Sequence, residues 1–145
     1  MHIGVSIFAT DFSIGMDELA PEVESRGFES LFVPEHTHIP TSRQSPWPVV
    51  ADLPREYWHT FDPFVSLSFA AANTKTLKIG TGICLLPQRD TLVTANLVAS
   101  LDRMSGGRFI FGIGGGWNKE EMAHHGISYN KRFARMAEQV KAMQA

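Results

Sequence analysis

Four times in succession, a short and continuously apolar run is followed by a segment with helical periodicity. This alternation restricts the fold more than any other feature of the sequence. The runs are IGVSIF from Ile3 to Phe8, SLFVP from Ser30 to Pro34, LKIGTGICLLP from Leu77, and GRFIFGIG from Gly107. A strand with one solvated face alternates apolar and polar residues, whereas a strand buried on both faces does not. Such strands separated by helical segments predict an α/β fold, with a parallel sheet covered by helices and right-handed crossovers. Four units fit either half of an eight-stranded barrel or a small doubly wound sheet.

The intervening segments carry helix punctuation. MDELAPEVESRGF, from Met16, puts Leu19 and Val23 on one face and stops at Gly27, while Pro21 must lie in the first turn or kink the helix. In DPFVSLSFAAANT, Asp62 reads as the N-cap and Pro63 as the first helical residue. Leu92 to Met104 places Leu97, Leu101 and Met104 on a stripe. The last helix sets Phe133, Met136, Val140 and Met143 against Lys131, Arg132, Arg135 and Lys141. From about His36 to Phe61 no period is visible. Pro40, Pro46, Pro48, Pro54 and the flanking Pro63 surround Trp47, Tyr57 and Trp58. A long loop of this kind in a compact domain is usually a lid or a binding loop. Its aromatics, with Phe61, either line a pocket for a planar substrate or pin the loop down.

Composition narrows the partners. With 145 residues and 43% hydrophobic content, the chain is long enough for one domain with a core. A net charge of -2 without runs of like charge gives no nucleic-acid or polybasic membrane surface. No stretch reaches the roughly 20 apolar residues of a membrane span, and the N-terminus lacks the pattern of a signal peptide. The single cysteine, Cys84, reads as a buried small hydrophobe. One cysteine provides neither a disulfide framework nor a zinc cluster, which suits a cytoplasmic setting.

The glycine-rich stretch GGRFIFGIGGGWNKEEMAHHG raises the question of a nucleotide-binding turn. Counted from Gly112, the sixth position of a dinucleotide fingerprint is Trp117, and no Gly-Lys-Ser/Thr ending follows. What remains is a strand end without side chains at Gly112, Gly114, Gly115 and Gly116, then an Asn118 cap and Glu120 and Glu121 in the first helical turn. This is either a tight turn or a place where a large flat group approaches the backbone. Two other strand ends bear on the choice. VPEHTH places Glu35, His36 and His38 past the second strand, and Gln88, Arg89 and Asp90 follow the third. In a parallel barrel these ends converge on one mouth.

The segments RGFESLFVPEHTHIP, KRFARMAEQV and, most specifically, Leu77 to Ile127 resemble the first half of a luciferase-like monooxygenase superfamily protein. They are most similar to its coenzyme F420-dependent oxidoreductases. The resemblance implies a luciferase-like TIM (β/α)8 barrel, with residues 1–145 forming the N-terminal half of its single domain and holding the first four β/α units. It implies hydride transfer between coenzyme F420 and a small organic substrate. An FMN enzyme using oxygen and a separate flavin reductase is the alternative, and a non-catalytic half-barrel that assembles with itself is a third reading. His36 falls where the family places a proton donor or hydrogen-bond partner beside the reactive ring, a role that suits an imidazole. Glu35 is the residue that would orient or tune it. Gly82 and Ile83 match a bulge where deazaflavin-binding members carry a non-proline cis peptide backing the ring, and Gly114 and Gly115 match the opposite rim. Trp117 stands where certain sugar-phosphate dehydrogenases of the family have a catalytic glutamate, which argues against the same substrate.

No metal site is expected. His124 and His125 are adjacent, so on a helix they point to different faces, and we expect them at the rim with Glu120 and Glu121 as weak partners. A TIM barrel takes about 250 residues, so this chain reads as a fragment that binds cofactor weakly, without the phosphate site of the last strands. Open first and fourth strands would favour a homo-oligomer, most simply a dimer.

Overall fold

The computed structural model describes residues 1–47 and 52–145, so Pro48 lies outside the described residues. Four parallel strands, β1 (Gly4–Ser6), β2 (Ser30–Val33), β3 (Lys78–Thr81) and β4 (Phe109–Ile110), lie in chain order in one sheet. Helices α1 (Met16–Ser25), α2 (Pro63–Ala72) and α3 (Thr91–Ser105) make the crossovers, and α4 (Lys119–His124) and α5 (Arg132–Gln144) follow β4. In register, Leu31 pairs with Ile79 and Ile79 with Phe109. The expected alternation is therefore present, and β1 and β4 are the sheet's two edges.

Leu31, Val33 and Ile79 of the sheet pack with Ala20 and Val23 of α1, Phe64, Leu67 and Ala70 of α2, and Leu101 of α3. Burying each of the larger side chains contributes roughly 1.5–3 kcal/mol. The Asp62 cap forms where the sequence puts it, and Asp90 caps α3. An Asp62 oxygen accepts from the amides of Phe64 (2.8 Å) and Val65 (3.1 Å), and Asp90 accepts from Val93 (2.9 Å). Helix α3 ends at Gly106, whose φ of 73° places it in the left-handed region that glycine tolerates. Cys84 is fully buried. Among the described residues no helix is long and apolar enough to cross a membrane.

Pro21 lies within α1, past its first turn, which excludes the first of its two readings. Two local expectations are corrected. Met104 is 85% exposed, because the docked face of α3 turns on Thr94, Leu101 and Ser105 instead. On α5 the buried residue is Gln139, whereas Phe133 is 57% exposed. That helix is held by polar bonds, from Arg135 Nε to the Pro87 carbonyl (2.9 Å) and from Gln139 Nε2 to the Arg89 carbonyl (3.0 Å). Apolar periodicity located the helix but not its docked face.

At the N-terminal ends of the strands, two charged side chains tie loops together by bonding mainly to backbone. The Glu24 carboxylate accepts from the amides of Lys75 (3.0 Å), Thr76 (2.6 Å) and Leu77 (2.8 Å). Those bonds, that of Thr76 first, outweigh burial and hold its pKa at about 2. Arg108 donates to the carbonyls of Ser105 (2.6 Å), Leu77 (2.9 Å) and Ala71 (2.9 Å) and to Thr74 Oγ1 (2.8 Å).

Candidate functional site

Parallel strands deliver their C-terminal ends to the same side of a sheet, and there the chain's buried ionisable groups gather. Val33 ends β2, and the next residues, Glu35 and His36, are 3% and 8% exposed. They diverge. His36 Nδ1 meets Glu121 Oε2 of α4 at 2.8 Å across 85 residues of sequence, and the Glu121 side chain is fully buried. The amide of Thr37 donates to the other oxygen of Glu121 at 3.1 Å. Glu121 is positioned in turn by the α4 cap, where its own amide donates to Asn118 Oδ1 (3.1 Å).

Glu35 points to the other neighbour. Its Oε2 accepts from the Leu85 amide at 2.7 Å and its Oε1 from Arg89 Nε at 2.6 Å. Arg89 also reaches Asp62 Oδ2 (2.7 Å) and lies over the Phe64 ring at 4.8 Å. Burial disfavours the Arg89 charge, but the bonds to Glu35 and Asp62 overcome this and raise its pKa. The same carboxylates add to burial in pushing the Cys84 thiol far up, which makes it unreactive. Glu35 thus braces β3 and α2, with no bond to His36.

Between these arms lies a cleft of about 330 Å³ lined by residues including Phe8, His36, Tyr57, Gly82, Ile83 and Trp117. Three larger surface clefts, of about 590, 580 and 400 Å³, lie over α5, over the long loop beside Thr37 and His38, and between α1 and α2. The peptide between Gly82 and Ile83 is cis, as the resemblance implies, and Ile83 is 39% exposed on the cleft wall. A side chain at Gly114 would run into Ile83, and one at Gly115 into the Phe133 ring. A Cβ at Gly112 would overlap the Thr81 carbonyl, so Gly112 and Gly114 allow the ends of β3 and β4 to approach each other, and Gly115 lets α5 pack close. Rings stand around His36, with centroids 5.0 Å away at Tyr57 and 5.9 Å away at Trp117.

The long loop is fastened over this cleft. Glu120 accepts from the amides of Gln44 and Ser45, both at 3.2 Å, and Ser45 Oγ accepts from the Lys119 amide at 3.2 Å. Burial acts against the Glu120 charge, but those bonds lower its pKa overall. Of the loop aromatics, Tyr57 lines the cleft and Trp47 Nε1 donates to its hydroxyl at 3.0 Å. Trp58 and Phe61 are exposed elsewhere. His124 and His125 do lie at the rim, bonded to His38 and Thr37 rather than to glutamates four residues upstream. Among the described residues no group of three or more His, Cys, Asp or Glu side chains is arranged to hold a metal ion.

Sequence reasoning located the strand ends but missed the reach of Glu121 to His36. The available signal was an acidic first turn immediately after a strand end, the place where a barrel presents its chemistry.

Comparison with known proteins gives the family and the fold. Residues 15–145 match the luciferase-like monooxygenase family. An uncharacterized protein of Mycobacterium tuberculosis is 39% identical over 148 residues, covering 100% of this chain and 52% of that protein. The chain thus spans about half the length of the curated relatives it matches most fully. The coenzyme F420-dependent tetrahydromethanopterin reductase of Methanopyrus kandleri superposes with a TM-score of 0.63 at 26% identity, covering 87% of this chain and 30% of that one. The oxygenating constituent of 3,6-diketocamphane monooxygenase from Pseudomonas putida, in complex with FMN, gives 0.75 at 20% identity, covering 99% and 38%. The four-stranded α/β structure is therefore that of a partial luciferase-like barrel.

Proposed function

The chain belongs to the luciferase-like monooxygenase family, and from that premise we propose that the complete protein is an oxidoreductase whose proton-transfer residue is His36. The observation that carries this reading is the His36–Glu121 pair on the wall of the strand-end cleft. A buried carboxylate at 2.8 Å favours the Nδ1–H form of the ring. That leaves Nε2 to take or give a proton, the arrangement expected of a general acid or base.

The residues at the cleft fit a flat tricyclic ring. Gly82 and the half-exposed Ile83 form one apolar wall, and Tyr57 and Trp117 stand beside His36. Bound there, coenzyme F420 would supply the hydride chemistry, with FMN as the alternative. Gly82 and Ile83 would back the ring, while Gly114 and Gly115 serve it indirectly, by giving Ile83 and Phe133 room. Glu35 contributes by fixing the Leu85 amide behind that wall. The substrate is a small organic molecule. The family match favours residues 1–145 as the front half of one barrel, and a second copy or further strands would cover the edges at β1 and β4.

Parallel fluorescence titrations of the complete protein with F420 and FMN test this reading. Tight F420 binding with turnover lost in His36→Asn supports it. Binding of FMN alone, with oxygen-dependent turnover, replaces it with a monooxygenase. Binding of neither favours a non-catalytic assembly.

A further inference from the structure

A chain of hydrogen bonds leaves the His36–Glu121 pair on the side away from the cleft and ends at the surface. Thr37 Oγ1 lies 3.4 Å from Glu121 Oε1, 3.0 Å from His38 Nδ1 and 2.8 Å from His125 Nε2. His38 Nε2 in turn lies 2.9 Å from Nδ1 of the exposed His124, and the two rings stack with 8° between their planes. A hydroxyl has one proton and two lone pairs. Thr37 satisfies all three contacts in one way only when facing an ionised Glu121: it donates to the carboxylate and accepts an N–H from each histidine. His38 then carries its proton on Nδ1, and its Nε2 must accept the proton on Nδ1 of His124.

We propose that His38 and His124 are positioning residues for the His36–Glu121 pair, holding the Thr37 hydroxyl against the second oxygen of Glu121, beside the Thr37 amide bond, as long as one of the two facing nitrogens, His38 Nε2 or His124 Nδ1, keeps its lone pair. This inference rests on the reading of His36 as the proton-transfer residue and adds an acid limit to it. When both imidazoles are protonated, two N–H groups and two positive charges face each other at the shared contact, and the link from the loop to α4 opens. The other charged groups around the contact are His125, just past α4, whose charge Glu121, Glu35 and Arg89 also influence, and Arg43, which lines the same cleft as His38. His125 already feels this surrounding: burial lowers its pKa, Glu121 opposes that, and His38 adds to it. The role fits a long Thr37–Glu121 contact, which needs support from its other partners to hold its direction.

The test uses the complete protein and a conservative pair of variants. His124→Asn places an amide donor near the position of the lost Nδ1 without a titrating group, whereas His124→Ala removes the link. With ¹⁵N-labelled histidine, NMR should show nitrogen–nitrogen coupling between His38 and His124 across the hydrogen bond near pH 8, and its loss once acid has protonated both rings. Turnover on the acid side should fall with a two-proton slope in the parent and a shallower one in His124→Asn. His124→Ala should lower turnover about three- to tenfold even at high pH, the worth of one ordinary hydrogen bond, with His124→Asn restoring it. Absence of the coupling near pH 8, or an unchanged acid slope in His124→Asn, overturns the proposal. The coupling is read without turnover, so loss of the His36 role leaves that measurement intact and is distinguished by His36→Asn alone.

Discussion

The two ends of the sheet use the same kinds of charged side chain for opposite purposes. At the N-terminal ends, Glu24 and Arg108 bond chiefly to main-chain amides and carbonyls, closing loops that every copy of this fold must close. At the C-terminal ends, Glu35, Arg89, Asp62, His36 and Glu121 bond to one another. A charge satisfied by backbone dipoles stabilises a loop without requiring another charge nearby. Charges paired with charges in a buried place add little net stability, yet losing one partner leaves the other stranded. The first end reads as structure and the second as a site.

The sharpest way to break that contrast is at His36. In the complete protein, His36→Asn, whose amide can still donate to the buried Glu121, should reduce turnover by roughly 10²- to 10⁴-fold with only a small fall in melting temperature. A small loss would mean that the mouth, too, is mainly structural. Next in size is Arg89→Met, which strands the buried Glu35 carboxylate and should cost about 3–5 kcal/mol in denaturant unfolding. Adding Glu35→Gln should recover part of it, and a double variant as unstable as the sum of both changes would refute the pairing argument. Arg108→Ala should cost about 2 kcal/mol, since four acceptors lose one shared donor at a partly solvated place. Turnover should stay unchanged.

The smallest effect concerns pH. Glu24 has a folded pKa near 2 against an ordinary value of 4.5. Between those values the unfolded chain holds more protons, so stability falls as the pH falls. The contribution is complete above about 4.5 and gone below about 2. Glu24→Gln should flatten that part of the acid-unfolding curve, measured by circular dichroism, and an unchanged curve would remove Glu24 from the comparison.

Much of this was legible in the sequence. Asp62 with Pro63, Asn118, and Gly27 mark helix ends through bonds and dihedrals spanning only a few residues, and they lie as read. The places of the four strands along the chain follow from their apolar runs, but their order in the sheet does not, because half a barrel and a doubly wound sheet fit the same alternation. The α5 stripe misled at Phe133, which satisfies helical periodicity yet is exposed, while Gln139 and Arg135 hold the helix by hydrogen bonds that periodicity does not record. Glu121 was seen as a residue of the first helical turn, but its partner was not.

The sequence by itself determined the strand–helix alternation, the caps, the glycine-lined strand end and the family, because each is written in neighbouring residues or in their spacing. Only the tertiary structure decided that Glu35 braces β3 while His36, the next residue, faces Glu121. That choice depends on the direction in which the chain leaves β2 and on which neighbouring strand end each side chain then meets, and groups paired across 85 residues leave no local pattern to read.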